Sequence, residues 1–486
     1  MQLRVLSGTD VRTYSCEGGE NLLTFLQGKG YAIAANCGGN GKCGKCKVRV
    51  LEGGVEGQEN GYAYACLAHI SRDAYVEVFE TKGSGLTRSF VQDSKTDGEE
   101  GYGVALDIGT TTLAYSLVNL KTGEETDRFG VLNHQGAYGA DVLSRIAAAD
   151  QGKAQSLQES ILSQTREALS RFRAKIPDGR VRRLTVCGNT TMLHFFMGAD
   201  VSGIGRYPFT ASFLDTQRFS GTQLNLEAEE VVLLPSLSAY FGADAVIGGV
   251  VVNLRKETSL LADIGTNGEM LLHVNKKMYA ASTAAGPCFE GANIECGIGG
   301  VNGAIDSVFE RDGKICYTVI GGGKAEGICG AGLVDAVALM LKKGIIDETG
   351  AFTAQEQRFY ISDEIYISQA DIRNFQLAKS AICAGMRALI SAAGIQAHEL
   401  KRVYIAGGLG FYLNFRNAVA VGLFPPELES KLTVVGNTAL AGAKQCLCRR
   451  DTISQAEKIA RETEYLDLAT SDVFMDPYVE NMYFGE

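Results

Sequence analysis

A near-repetition constrains this chain more than any other feature. Ala105–Val118 reads ALDIGTTTLAYSLV, and Leu261–Val274 reads LADIGTNGEMLLHV. Each runs apolar residues into Asp-Ile-Gly-Thr, adds small polar residues and returns to apolar ones. A strand, a Gly-containing turn and a returning strand make a tight hairpin. One copy would mean a hairpin and nothing more. Two copies far apart call for a duplicated unit, so the fold should contain two related halves.

The turn residues suggest what the unit is for. Turn N–H groups and hydroxyls donate to phosphate oxygens, and a carboxylate at a strand end suits a hydrated cation. Asp107, Gly109, Thr110, Thr111 and Thr112 supply these groups in the first copy. Asp263, Gly265, Thr266, Asn267 and Glu269 supply them in the second. Facing each other, the hairpins would clamp ATP with Mg²⁺. A further apolar strand, in Arg402–Phe415, enters a turn carrying Gly407, Gly408 and Gly410, placed to grip base and ribose. In Gly327–Leu341 a Gly turn leads into an apolar helix, whose N-terminus suits phosphate. No G-x-x-x-x-G-K-[ST] sequence occurs, which removes the P-loop alternative.

A second constellation lies upstream. Cys37, Cys43, Cys46 and Cys66 are spaced C-x5-C-x2-C-x19-C, one residue longer in the first gap than a plant-type ferredoxin loop. Several thiolates must converge from one loop, and Gly38, Gly39, Gly41 and Gly44 let it wrap. The spacing therefore points to a [2Fe–2S] cluster. A structural zinc site is the alternative, but zinc knuckles usually supply two C-x2-C pairs, and Cys66 has no such partner. Alternation in KVRVLEG and AYVEVFE predicts a small sheet around the cluster. Cys16 and the remaining cysteines, without four-ligand spacing, read as buried thiols.

Composition sets limits on the rest. At 486 residues the chain exceeds one ordinary domain. A net charge of −10 argues against a nucleic-acid partner, which would need a basic face. No apolar run is long enough to span a bilayer, and the N-terminus lacks a signal-peptide core, so a cytoplasmic location is expected. With 5 histidines and no Ser/His or His/Asp constellation, no residue is assigned to covalent catalysis.

The two hairpins and the Gly407–Gly410 turn, in this order, resemble the phosphate-1, phosphate-2 and adenosine motifs of the ASKHA superfamily: acetate and sugar kinases, heat-shock ATPases and actin. The resemblance covers residues 102–486. It implies α/β architecture, a two-lobed actin-like ATPase built from duplicated ribonuclease H-like subdomains, preceded by an α+β, β-grasp ferredoxin-like domain. The implied boundaries are 1–82 for the ferredoxin-like domain, 83–101 for a polar linker, 102–255 for the first ATPase subdomain and 256–486 for the second.

The fusion as a whole resembles the reductive activators of corrinoid proteins. Matching segments include Asn133–Ile146, Cys187–Phe196, Tyr240–Gly249, Ala284–Gly297, Asp371–Gly385 and Val435–Ala443. The resemblance implies an ATP-dependent activase that passes one electron from its cluster to a Co(II) corrinoid protein, regenerating Co(I). It implies a low-potential reductase or ferredoxin as donor, and a homodimer is compatible with it. Characterised members carry an additional domain between cluster and ATPase, where this chain has only the linker. The division of labour is physically sound. A plant-type cluster lies near −400 mV, and each ~59 mV uphill costs a one-electron transfer tenfold. ATP can offset that only through differential affinity for a conformation or complex. The rivals are an ATP-gated donor to another metalloprotein and a small-molecule kinase with a redox-sensing domain, for which Asp244 would be the catalytic carboxylate. Asp141 and Asp244, each in a Gly-Ala-Asp triplet, suit helix capping and the nucleotide site equally.

Overall fold

The computed structural model describes residues 1–7, 10–29, 31, 33, 41, 46–79, 95–468 and 471–485. Cys37, Cys43 and most of the linker lie outside the described residues. The chain opens with β1 (Gln2–Ser7), whose alternate residues Leu3 and Val5 are fully buried. It pairs antiparallel with β2 (Asp10–Ser15). Asn21 then caps α1 (Leu22–Gly28), accepting from Thr24 N–H at 3.1 Å, and the helix buries Leu22, Leu23 and Leu26. β3 (Lys47–Glu56), β4 (Gln58–Glu59), β5 (Tyr62–Tyr64) and β6 (His69–Val78) complete a sheet of order β2-β1-β6-β3-β5-β4. The parallel β1–β6 pair gives the mixed sheet and crossing helix of a β-grasp domain. KVRV and AYVEV lie in β3 and β6, as their alternation predicts.

The first large sheet begins at β7 (Tyr102–Ile108), β8 (Thr112–Asn119) and β9 (Glu125–Leu132), an antiparallel meander. α2 (Val142–Ala148) and α3 (Ala154–Arg173) lead to β10 (Val181–Gly188), α4 (Thr190–Met197), β11 (Gln217–Phe219), β12 (Ala228–Leu233) and α5 (Ala243–Val251). The strand order is β11-β12-β10-β7-β8-β9, with β10 parallel to β7 and β12. Asp141 turns out to be the N-cap of α2, in a reciprocal box with Ser144.

The second large sheet starts with another meander, β13 (Ser259–Ile264), β14 (Gly268–Val274) and β15 (Lys277–Thr283). A smaller excursion follows: β16 (Ala304–Arg311), β17 (Lys314–Val319), β18 (Gly327–Ile328), α6 (Gly330–Lys342), then the β19 (Arg358–Tyr360) and β20 (Tyr366–Ser368) pair. α7 (Gln369–Ala392) starts at the capping box of Ser368 and Asp371 read from sequence. Its Ile372, Phe375, Ile382, Met386 and Leu389 are fully buried. β21 (Arg402–Ala406), α8 (Phe415–Ala420), β22 (Leu432–Gly436), α9 (Thr438–Cys448), α10 (Arg450–Glu462), β23 (Thr463–Leu466) and α11 (Asp472–Glu480) finish the chain. The order is β22-β21-β13-β14-β15-β23. Leaving out β11 and β23, both sheets share one topology: a three-stranded meander whose first strand is continued by two parallel strands. The duplication announced by the hairpins is thus the architecture itself.

The two units are joined by packing that sequence order hides. One buried cluster contains Val104 and Leu106 of β7, Val246 of α5, Leu261 and Leu271 of the second sheet, and Leu440 and Ala443 of α9. α9 therefore lies between the sheets. A separate core, with Leu260, Leu272, Val334 and Ile382, covers the outer face of the second sheet. Ala137 of the first lobe packs against the ferredoxin core.

Candidate functional site

Both hairpin turns sit at the inner ends of their sheets. In the first, Gly109 N–H donates to Thr112 O at 2.9 Å. A Cβ on Gly109 would lie 2.7 Å from that carbonyl, so the close approach requires glycine. Three side chains hold the turn from outside: Asn133 Nδ2 donates to Gly109 O at 2.9 Å, Arg145 Nη2 to Thr110 O at 2.6 Å, and Asn189 Nδ2 to Thr110 Oγ1 at 3.3 Å. In the second, Asp263 pairs across the strands with Glu269, and Gly265 N–H donates to Asn267 O at 3.0 Å.

The turns face one another. Glu290 Oε2 accepts from Thr111 Oγ1 at 3.3 Å and from Thr266 Oγ1 at 3.0 Å, joining the two lobes through one carboxylate oxygen. Asn437, the N-cap of α9, donates to Asp107 Oδ2 at 3.2 Å. The Gly407–Gly410 segment also reaches the second hairpin. Gly407 has φ +90°, and a Cβ there would meet Ile264 O at 2.5 Å and Asp263 Oδ1 at 3.0 Å. Gly408 and Gly410 continue the same turn beyond β21.

The electrostatics of the cleft are one-sided. Asp107, Asp244, Asp263, Glu269 and Glu290 are half-buried and crowd together. Burial, then Asp244, pushes the Asp107 carboxyl up to about 7. Burial raises Asp244 to about 6. Burial, then Asp244, Asp107 and Glu290, takes Asp263 to about 8. Glu269 is held well above the carboxylate range by burial and by Asp244 and Asp263. Burial also raises Glu290, opposed by the two threonine hydrogen bonds. Among the described residues, no Lys or Arg forms an ion pair with any of these carboxylates. Nor do three His, Cys, Asp or Glu side chains gather to hold a metal directly.

At the cysteine centre, Cys46 and Cys66 are buried with their sulfurs 3.2 Å apart. That is well beyond the ~2.05 Å of a disulfide bond. Ala65 N–H donates to Cys46 O at 2.9 Å, and Asn21 Nδ2 donates to Cys66 O at 2.9 Å, fixing both segments beneath α1. Adjacent buried thiols, unbridged, fit a pair of thiolate ligands to one cluster. The other two expected ligands, Cys37 and Cys43, lie outside the described residues. Among the described residues the remaining cysteines join no group of three or more His, Cys, Asp or Glu side chains.

Sequence reasoning placed the hairpins and the glycine turn but did not assign roles to Glu290, Asn437, Arg145 and Asn133. Each lies in a segment noted for its family resemblance. Local signals mark Asn437 as a helix cap and Glu290 as the end of a short turn after Pro287; neither reveals a partner in another lobe.

Comparison with known proteins decides the family. Residues 257–486 match a family model described as the C-terminal domain of RACo, the ASKHA domain. Residues 102–257 match the RACo middle region, and 7–71 a 2Fe-2S iron-sulfur cluster binding domain. The chain is 31% identical over 459 residues to the corrinoid activation enzyme RamQ of Eubacterium limosum, covering 87% of this chain and 77% of that protein. It belongs to the reductive activators of corrinoid proteins. Among these activators it is also 27% identical over 417 residues to a [Co(II) methylated amine-specific corrinoid protein] reductase of Methanosarcina barkeri, covering 78% of this chain and 76% of the other. The solved structure of a reductive activator for corrinoid, iron-sulfur protein superposes with a TM-score of 0.72 at 27% identity, covering 99% of this chain and 98% of that one. The match to the activators' middle region coincides with the first large sheet and its helices.

Proposed function

We propose that the chain is an ATP-dependent reductive activase that delivers one electron to the Co(II) form of a corrinoid protein, returning it to Co(I). The observation that carries the reading is the pairing of the two threonine hydroxyls across Glu290 with a ferredoxin domain docked on the same lobe. Thr110, Thr111, Thr266 and the turn N–H groups of Gly109 and Gly265 are assigned to the phosphates. Thr112, Asn267 and Glu269 flank them. Asp107 and Asp263, two of five crowded carboxyl groups that form no ion pair with Lys or Arg among the described residues, are assigned to a water-shelled Mg²⁺. Gly407, Gly408 and Gly410 leave room for base and ribose. Cys37, Cys43, Cys46 and Cys66 are assigned to a [2Fe–2S] cluster, which when bound supplies the low-potential electron.

The gating follows from the geometry. The donors of both hairpins would together hold nucleotide, which would favour one arrangement of the lobes and of any partner that prefers it. A low-potential ferredoxin or reductase would reload the cluster. Cytoplasmic residence and a homodimer are consistent with this role, and among the described residues no helix is long and apolar enough to cross a membrane. The test is the rise of Co(I) absorbance in a corrinoid protein from the same organism, anaerobically, with a low-potential reductant. Wild type with Mg-ATP should produce Co(I), while omission of ATP or Cys46→Ala should stop it. Sugar or acyl phosphorylation with no corrinoid reduced would overturn the reading in favour of a kinase.

A further inference from the structure

The bridge made by Glu290 conflicts with the clamp it spans. Thr111 and Thr266 each carry a single hydroxyl proton, and both are donated to Glu290 Oε2. A phosphate oxygen needs the same protons and repels the same carboxylate. Glu290 therefore stands where an incoming anion must go. It is also firmly presented, on the short turn Pro287–Glu290 that Gly291 closes at φ +81°.

The same cavity contains the opposite anomaly. Arg145 lines it together with Thr111, Thr266 and Glu290, and is only 1% exposed. Its guanidinium donates to neutral groups: Nε to Gly139 O at 3.0 Å, Nη1 to Gln135 Oε1 at 3.2 Å and to Met192 Sδ at 3.4 Å, and Nη2 to Thr110 O at 2.6 Å. Among the described residues no carboxylate lies within ion-pair distance of it. Asp141, the cap of its own helix, is the one charged group among the described residues that acts on it, without an ion pair. A buried cation lacking a paired carboxylate is costly, and a carboxylate across the cavity would supply one.

We propose that Glu290 is a two-position latch: without nucleotide it ties the lobes together through Thr111 and Thr266, and when the phosphates of Mg-ATP take those hydroxyls its carboxylate turns to Arg145. This rests on the nucleotide clamp proposed above. Arg145 holds the first hairpin through Thr110, so the exchange couples phosphate arrival to the lobe that carries the ferredoxin domain. Gln27 and Ile33 of that domain wall the same cavity, and Gln27 Oε1, on a side chain 4% exposed, has no hydrogen-bond partner among the described residues. The latch would therefore move against Gln27 and Ile33 of the ferredoxin domain.

The test is calorimetric titration of the full-length, anaerobically purified protein with Mg-AMP-PNP, which removes turnover from the reading. A latch closed nine-tenths of the time lowers apparent affinity about tenfold, so Glu290→Ala should bind about tenfold more tightly. Glu290→Gln, which loses the charge, should shift the same way. Arg145→Gln should weaken binding more in the wild-type background than beside Glu290→Ala, where only its support of the Thr110 turn is lost, a coupling a double-mutant cycle isolates. Equal or weaker binding by Glu290→Ala overturns the latch, and this holds even if Arg145→Gln fails to fold. If wild type binds no Mg-nucleotide, the clamp itself fails. Normal wild-type binding with an unshifted Glu290→Ala variant defeats the latch alone.

Discussion

Asn437 donates to Asp107 Oδ2 at 3.2 Å from 330 positions further along the chain. Its own Oδ1 accepts from Leu440 N–H at 2.9 Å and so caps α9. One amide thus ties the carboxylate of the first hairpin to the helix between the sheets. Asn437→Ala should remove a cap worth about 1 kcal/mol and a hydrogen bond to a charged group worth about 1.5–3 kcal/mol. A lower Tm together with weaker Mg-ATP binding is expected; unchanged nucleotide affinity would show that the bond serves stability alone.

Asp107 and Asp263 end the first strands of equivalent meanders, so removing either should have a similar consequence. Asp107→Ala and Asp263→Ala should each cost Mg-ATP binding on the order of 2–5 kcal/mol, the range for stripping one partner from a buried charge contact. The visible absorption of the cluster should be unaltered. Two variants that bind and hydrolyse ATP normally would refute the clamp.

Cys46 and Cys66 offer a cleaner separation of the two halves. Cys46→Ala or Cys66→Ala should lose the iron and acid-labile sulfide, about two of each per chain in wild type. Nucleotide affinity should persist, because the ferredoxin core and the core between the lobes are separate clusters. Stoichiometric zinc in place of iron in the anaerobic wild type would decide for the structural-zinc alternative.

The crowded carboxylates make stability depend on pH in a definite direction. Asp107 and Asp263 are raised to about 7 and about 8, against about 3.9 in an unfolded chain. Between those limits the folded protein retains protons that the unfolded chain has released. Stability without nucleotide should therefore fall as pH rises from about 4 to about 8, then level off. Thermal melts across this range test it, and Asp263→Asn should flatten the slope. Mg-ATP, whose cation favours the ionised carboxylates, should raise Tm more at pH 8 than at pH 6.

Much of the fold was legible because it is written in local patterns. Alternation marked β3 and β6, Ser368 and Asp371 marked the start of α7, and the doubled Asp-Ile-Gly-Thr marked the duplication. The cysteine spacing pointed to a cluster because thiolates from one loop must follow a narrow spacing rule. Asp141 and Asp244 show where such reading stops. Both sit in Gly-Ala-Asp triplets, yet one caps α2 while the other joins the carboxylates of the cleft. Identical triplets cannot report which neighbours tertiary packing will bring.

The sequence alone determined that two related hairpins exist, which donors each carries, and that a ferredoxin-like loop precedes them. These properties depend on chirality, turn sterics and residue spacing over a few positions. Only the tertiary structure decided that Thr111 and Thr266 meet on Glu290, that Asn437 reaches Asp107, and that Arg145 is buried beside them with no ion-paired carboxylate among the described residues. Those contacts join residues far apart in the chain, and they form because two sheets and α9 bury a common apolar surface. No local pattern records such a meeting, since the driving force is burial that the whole chain contributes and no single segment specifies.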